Sequence, residues 1–266
     1  MLRKFVKKLA AKTAQVVYTV GVWGAGFAWM GLVSVTWAVV RLAMPGRNTQ
    51  DIIGAPGMAV CLRFTLSKVT IIYDPAFVRG RCSVFCQNHV NLMDAHAACA
   101  AIKQPFCGLM NAWQFHIPMY GWIMWLAEGI PVRSGANRYR EVADAARERA
   151  SRGISILTYP EAHRTRDGKV QPFKKGVFLM AREAGLPVVP LATRGMSELN
   201  RKGSWMLKPS NIQIYVGAQI ETAGLSDDEL RAVIERTEQI VRDFNERGLA
   251  GVLAREPGPT GPAIDA

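Results

Sequence analysis

A histidine and an aspartate with four residues between them, in Asn88-His89-Val90-Asn91-Leu92-Met93-Asp94, are the side chains of this sequence best arranged to do chemistry. They follow Ser83-Val84-Phe85-Cys86, an apolar run that reads as a buried strand, so a change of direction at its end puts His89 in a turn. Asp94 then falls about one helical turn further on, where a carboxylate can bond one imidazole nitrogen and leave the other free. An imidazole held in one tautomer in this way is a general base suited to taking a proton from a hydroxyl. A second polar cluster, Tyr159-Pro160-Glu161-Ala162-His163-Arg164, follows another strand-like run. Glu161 and Arg164 suit an anionic or polyhydroxylated ligand, because the guanidinium fork matches phosphate. Arg166, Lys169, Lys174 and Lys175 add positive charge around Gly168 and Gly176.

Other chemistries lack their residues. There is no Gly-x-x-x-x-Gly-Lys-Ser/Thr run for nucleotide hydrolysis and no Gly-x-Ser-x-Gly elbow for a covalent serine. A base without a protein nucleophile implies that the hydroxyl of a substrate attacks, in a group transfer from a donor with a good leaving group. Two readings from other classes stand beside this one. The first is a metal-dependent hydrolase using His89, Asp94, His96, Glu161 and His163, although the usual ligand spacings are missing. The second is a catalytically inert, basic membrane-binding protein.

The elements that must position these residues begin with a basic opening, Arg3, Lys4, Lys7, Lys8 and Lys12, followed by a stretch from Ala14 to Val40 without a charge. A helix of that length can cross a bilayer. The formal net charge of +12 calls for an anionic partner, and its bracketing of an apolar N-terminus favours lipid over nucleic acid. Five cysteines, Cys61, Cys82, Cys86, Cys99 and Cys107, lie mostly in apolar runs, the usage of a reduced compartment. A simple span with cytosolic lysines would put the remainder outside, against that usage. A helix that enters the membrane, turns near Pro45-Gly46 and returns through Ile52 to Leu66 reconciles the two, with Gly21, Gly24, Gly26 and Gly31 permitting a bend or close helix packing.

Beyond this the pattern alternates. Val69–Tyr73, Val84–Cys86, Ile154–Thr158, Val188–Leu191 and Ile212–Val216 are expected strands. Helices are expected over Asp94–Ile102, from a cap at Ser134 or Asn137 to Arg152, and over Phe178–Glu183 up to Gly185. Ser226 and Glu229 form a capping box that opens a last amphipathic helix. The fold class is α/β, a central mixed β-sheet flanked by helices, with an N-terminal membrane-embedded helical pair. The expected division is 1–68 for the membrane-associated helices, 69–250 for the catalytic domain and 251–266 for a Pro- and Gly-rich disordered tail.

The two clusters and the segments around them resemble the glycerolipid acyltransferase family typified by 1-acyl-glycerol-3-phosphate acyltransferase, over most of the chain from about Tyr73 to Val216. Asn88-His89 through Asp94 matches that family's His-x4-Asp block. Ile117-Pro118-Met119-Tyr120-Gly121-Trp122 and Gly129-Ile130-Pro131-Val132-Arg133 match its next stretches, Tyr159 to Arg164 resembles Phe-Pro-Glu-Gly-Thr-Arg, and Val189-Pro190-Leu191 resembles its fourth block. The resemblance implies that His89 and Asp94 are catalytic and that Arg133, Glu161, Ala162, His163 and Arg164 bind substrate. It implies transfer of a fatty acyl group from acyl-CoA or acyl-carrier protein, as co-substrate, to the hydroxyl of a lysolipid, with backbone amides near the motif stabilising the oxyanion and no metal or cofactor. It also implies a bilayer partner, no nucleic acid, and a catalytic domain on the cytoplasmic face of the inner membrane. Ala162-His163 stands where the family has Gly-Thr, and Met110-Asn111-Ala112-Trp113 lacks a lysine that many relatives carry there. The acceptor is therefore left open between 1-acylglycerol-3-phosphate, a related lysophospholipid and a lyso-aminolipid.

Overall fold

The structure, a computed structural model, describes residues 1–44, 48–134, 138–254 and 263–265. Helix α1 (Leu2–Ala43) leads, after a π-helical turn at Gln50–Gly54, to α2 (Ala55–Phe64). Strands β1 (Lys68–Tyr73) and β2 (Val84–Gln87) precede α3 (Asp94–Ala101). Then come β3 (Phe106–Asn111), a 3-10 turn (Ala112–His116), α4 (Tyr120–Leu126), β4 (Ile130–Val132) and α5 (Arg138–Ser151). The chain continues through β5 (Ser155–Thr158), α6 (Lys175–Ala184), β6 (Val188–Arg194), the short α7 (Met196–Leu199) and β7 (Asn211–Val216). It closes with α8 (Asp227–Arg247), α9 (Leu249–Leu253) and β8 (Ala263–Asp265).

Among the described residues the strands form one mixed sheet in the order β4-β3-β5-β2-β6-β7-β1-β8. From β4 to β6 every neighbouring pair is parallel, so the C-terminal ends of β2, β3, β4, β5 and β6 share one edge. The alternation of side chains along the strands sorts the core into two layers. Phe85, Leu157, Val189 and Ile214 face α1, α2, α3 and α4, whereas Val84, Ile156, Val188 and Tyr215 face α5, α6, α8 and α9. Short runs buried on both faces are what parallel strands between helical layers require.

The local signals act as their chemistry dictates. Ser226 accepts from the Glu229 amide while the Glu229 side chain accepts from the Ser226 amide, and Gly185 ends α6 at φ +67°. Asn137, one of the two expected caps of α5, lies outside the described residues. In the stretch expected to be a disordered tail, residues up to Leu253 complete α9 and Ala263–Asp265 pairs antiparallel with β1; residues 255–262 lie outside the described residues.

The N-terminal segment is a pair of helices, the first far longer than the second. Helix α1 is unbroken over 42 residues, about 63 Å at 1.5 Å per residue, roughly twice the hydrocarbon thickness of a bilayer. The returning segment is only the ten residues of α2, and its Ala55, Met58, Cys61 and Leu62 are buried in the layer that also holds α3. The expected turn near Pro45-Gly46 lies outside the described residues. Helix α1 packs against α2 and the helical layer on that face of the sheet from Gln15 to Arg41. Tyr18 donates to the Thr65 carbonyl, the Trp29 indole to the Gly57 carbonyl at 2.7 Å, the Trp37 indole to Thr49, and Arg41 pairs with Glu128. The close approach comes from Gly54 and Gly57, where a Cβ would stand 2.3 Å from Trp37 and 2.7 Å from Val33. Of the four glycines expected to serve that purpose, an added Cβ at Gly21, Gly24 or Gly26 would meet nothing within 4 Å among the described residues, whereas at Gly31 it would stand 3.5 Å from Met119. The outward face of α1 is apolar and exposed at Val17, Val20, Phe27, Leu32, Val35, Val39 and Leu42.

Candidate active site

The C-terminal end of β2 delivers Asn88 and His89, and that of β5 delivers Tyr159 and Glu161; the two strands pair with Cys86 opposite Thr158. Clusters about 70 positions apart in the chain thereby become neighbours at the edge where α/β sheets hold their ligands.

The turn between β2 and α3 is built around one carboxylate oxygen. Asp94 Oδ2 lies 2.9 Å from His89 Nδ1 and accepts the backbone amides of Val90 and Asn91, each at 2.8 Å. Asp94 has no exposed surface, while the His89 side chain keeps 23% of its own. Such a bond fixes the proton on Nδ1 and leaves Nε2 as the basic nitrogen facing out. Two asparagines and a glutamine hold the turn in place. Asn88 exchanges hydrogen bonds with the Thr193 backbone of β6, Asn91 donates to the Met196 and Asn200 carbonyls, and Gln87 donates to the Asp94 carbonyl. Sequence reasoning passed over these three residues, because an amide side chain that substitutes for a strand partner carries no spacing signal.

Glu161 braces the backbone of the turn from the wall of the neighbouring cleft. It is only 4% exposed, and each oxygen accepts a backbone amide, Oε1 from His89 and Oε2 from Gln171, both at 2.7 Å. Burial pushes its pKa up to about 7, against the two amide bonds that lower it. The Thr165 amide in turn donates to the His89 carbonyl at 3.0 Å, so the loop after β5 grips the His89 backbone from both sides. The amides of His89, Val90 and Asn91 are thus all bound to carboxylates, which removes from oxyanion duty the backbone donors expected nearest the motif.

The same loop walls a cleft of about 560 Å³, lined by Glu161, His163, Arg164, Thr165, Arg166 and Lys174 among others. His163 is exposed and Arg164 half-buried. Ala162 is exposed and adopts φ +68°, the left-handed region that favours glycine. Arg133 follows β4, three strands from β2, roughly 14 Å away at about 4.8 Å per strand, and does not line this cleft. His96 is buried on α3, where desolvation drops its pKa to about 4 and keeps it neutral. Among the described residues no three of the His, Cys, Asp and Glu side chains converge as metal ligands. Tyr159 completes the site: its ring stacks on the His89 imidazole, with centroids 4.1 Å apart.

A His-x4-Asp turn at the end of one strand is thus braced by a Pro-Glu-x-x-Arg loop from the strand beside it in an α/β domain. Residues 70–194 match the family model described as Acyltransferase. A chloroplastic 1-acyl-sn-glycerol-3-phosphate acyltransferase of Brassica napus is 28% identical over 162 residues, 59% of this chain and 47% of that protein. The enzyme of the same description from Salmonella typhimurium is 26% identical over 180 residues, 64% of this chain and 72% of that protein. The crystal structure of the 1-acyl-sn-glycerophosphate acyltransferase PlsC from Thermotoga maritima has the same fold, with a TM-score of 0.75 at 21% identity over 92% of this chain and 98% of that one. In sequence the chain is thus similar to 1-acyl-sn-glycerol-3-phosphate acyltransferases over the part that carries the site, and in fold over nearly its whole length. Its match to the Brassica napus protein spans about half of that relative's length.

Proposed function

We propose that the protein transfers a fatty acyl group from a thioester donor, acyl-CoA or acyl-carrier protein, to the free hydroxyl of a lysolipid, 1-acylglycerol-3-phosphate or a related lysophospholipid. The observation that carries this reading is the Asp94-bound His89, whose backbone is held by the loop that also walls a cleft with Arg164, Arg166 and Lys174. The substrate hydroxyl oxygen attacks the thioester carbonyl carbon as its proton passes to His89 Nε2. The tetrahedral adduct then collapses, the C–S bond breaks, and the imidazolium returns the proton to the departing thiolate. Asp94 stabilises the imidazolium and holds the ring. The reading needs no metal or cofactor. His163, Arg164, Arg166 and Lys174 would hold the phosphate of the acceptor, and Asp167 on the same wall leaves room for a head group that also carries an amine.

The bilayer is the proposed partner and the cytoplasmic face of the inner membrane the proposed site of action. Support comes from α1, which is long and apolar enough to cross a membrane yet spends its inner face on the catalytic layer. A helix so committed cannot cross the bilayer without carrying the domain with it. Lying along one leaflet, it would offer lipid its exposed apolar face, joined by the exposed Trp113, Trp122 and Trp125.

The test is label transfer from acyl-CoA, or from acyl-carrier protein, to a panel of lysophospholipids and lyso-aminolipids in vesicles, beside His89→Ala. Label in one diacyl product, lost in the variant, would support the reading and name the acceptor. No label from either donor would sink it.

A further inference from the structure

Tyr159 has no place in the proton transfers above, yet its ring lies against the residue that makes them. The His89 and Tyr159 planes are 21° apart with centroids at 4.1 Å, a stacked pair. The sheet enforces the contact. Tyr159 is the first residue past β5, His89 the second past β2, and the strands are in parallel register at Cys86 and Thr158. Pro160 confines Tyr159 to extended backbone, so its ring continues the strand and meets the turn. The Pro160 carbonyl is pinned in turn by the Lys174 amide at 2.9 Å.

We propose that Tyr159 is a positioning residue for His89, its ring face fixing the imidazole plane and favouring the cationic form that arises during proton transfer. The acyl-transfer reading says where that proton comes from, and this inference rests on it for its kinetic consequence alone. The groups bonded to or stacked on His89 come from two elements. Asp94 of α3 bonds Nδ1, Tyr159 covers one face, and Glu161 and Thr165 hold the backbone. His163, Arg164 and Arg166 share with Glu161 the wall of the cleft. A positive charge on the ring therefore meets a carboxylate at its edge and an aromatic quadrupole at its face.

The ring and the hydroxyl of Tyr159 can be separated. The hydroxyl is buried, has no hydrogen-bond partner among the described residues, and interacts electrostatically with Asp94, with Tyr120 of α4 and with Cys99 of α3. Phenylalanine keeps the stacking face without that oxygen; leucine keeps apolar bulk without the face.

The experiment uses the full chain in detergent as wild type, Tyr159→Phe and Tyr159→Leu. Modification of His89 by diethyl pyrocarbonate, followed by mass spectrometry across pH, reports the protonation of the ring whether or not the protein turns over. The leucine variant is expected to modify with a midpoint about one pH unit lower, the tenfold of a cation–π contact between the exposed and the desolvated limits. Its kcat is expected to fall about tenfold with KM nearly unchanged. The phenylalanine variant is expected to match wild type in both. Tyr159→Met takes the place of leucine if circular dichroism shows that variant unfolded. Coincident midpoints in all the variants would overturn the proposal, as would a phenylalanine variant that behaves like leucine. A lowered midpoint in the leucine variant, with a wild type that transfers no acyl group, would instead defeat the acyl-transfer reading and leave the positioning of His89 standing.

Discussion

Asp94→Asn tests the reasoning at its centre, because it keeps the shape of the side chain and removes its charge. Asp94 Oδ2 accepts two backbone amides besides His89 Nδ1, so in the variant the amide oxygen must occupy this position. The new amide nitrogen then falls where Oδ1 stands, a buried place with no partner among the described residues. The His89 tautomer survives. The unpaired amide lowers stability by about 1–3 kcal/mol. The larger loss is kinetic. A unit charge pair 3–4 Å apart is worth roughly 4–5 kcal/mol at an effective dielectric constant of about 20, and that attraction exists only while His89 carries the proton. At about 1.4 kcal/mol per decade, kcat falls roughly 10³- to 10⁴-fold while KM changes little. Initial rates of labelled acyl transfer at saturating substrate measure it, with a circular dichroism melt confirming the folded fraction. His89→Ala combined with Asp94→Asn is expected to be no slower than His89→Ala alone, since the pair acts as a unit. A folded Asp94→Asn protein that loses less than tenfold, or losses that multiply in the double variant, would refute a carboxylate-supported histidine base.

Three further outcomes follow from the packing and the electrostatics. Because burial lifts Glu161 from its ordinary 4.5 to about 7, the folded protein binds in that window a proton that the unfolded chain has released. Stability therefore falls as pH rises across the window, by on the order of 3 kcal/mol. Urea unfolding at pH 5 and pH 8 should show this slope in wild type and not in Glu161→Gln, and equal slopes would contradict it. Ala162→Gly should raise stability by about 0.5–1 kcal/mol, since a left-handed alanine costs about 1–2 kcal/mol and glycine returns part of that through the unfolded chain; a lowered melting temperature would count against a strained loop. Gly57→Ala puts a methyl 2.7 Å from Val33 and should cost about 1–3 kcal/mol in the same melt, whereas an unchanged melt would mean that α1 is not packed on α2.

The elements were legible because their causes are local. The strands at 69–73, 84–86 and 212–216, the helix opening at Asp94, the capping box at Ser226 and the stop at Gly185 lie within a residue or two of where alternation, capping oxygens and a left-handed glycine place them. The His89 and Asp94 pair was legible for the same reason, since five positions across a strand-to-helix turn leave few geometries. What the tertiary structure alone decided depends on strand order. Only the placement of β5 beside β2 turns Glu161 inward onto the His89 and Gln171 amides, lays Tyr159 on the imidazole, and sets Arg133 three strands away. Nothing local marks α1 as a wall of the catalytic layer either: its composition is apolar all round, and a uniform surface says only that water is excluded. Which face meets protein and which is left exposed is settled by Gly54 and Gly57, whose missing side chains admit Trp37 and Val33.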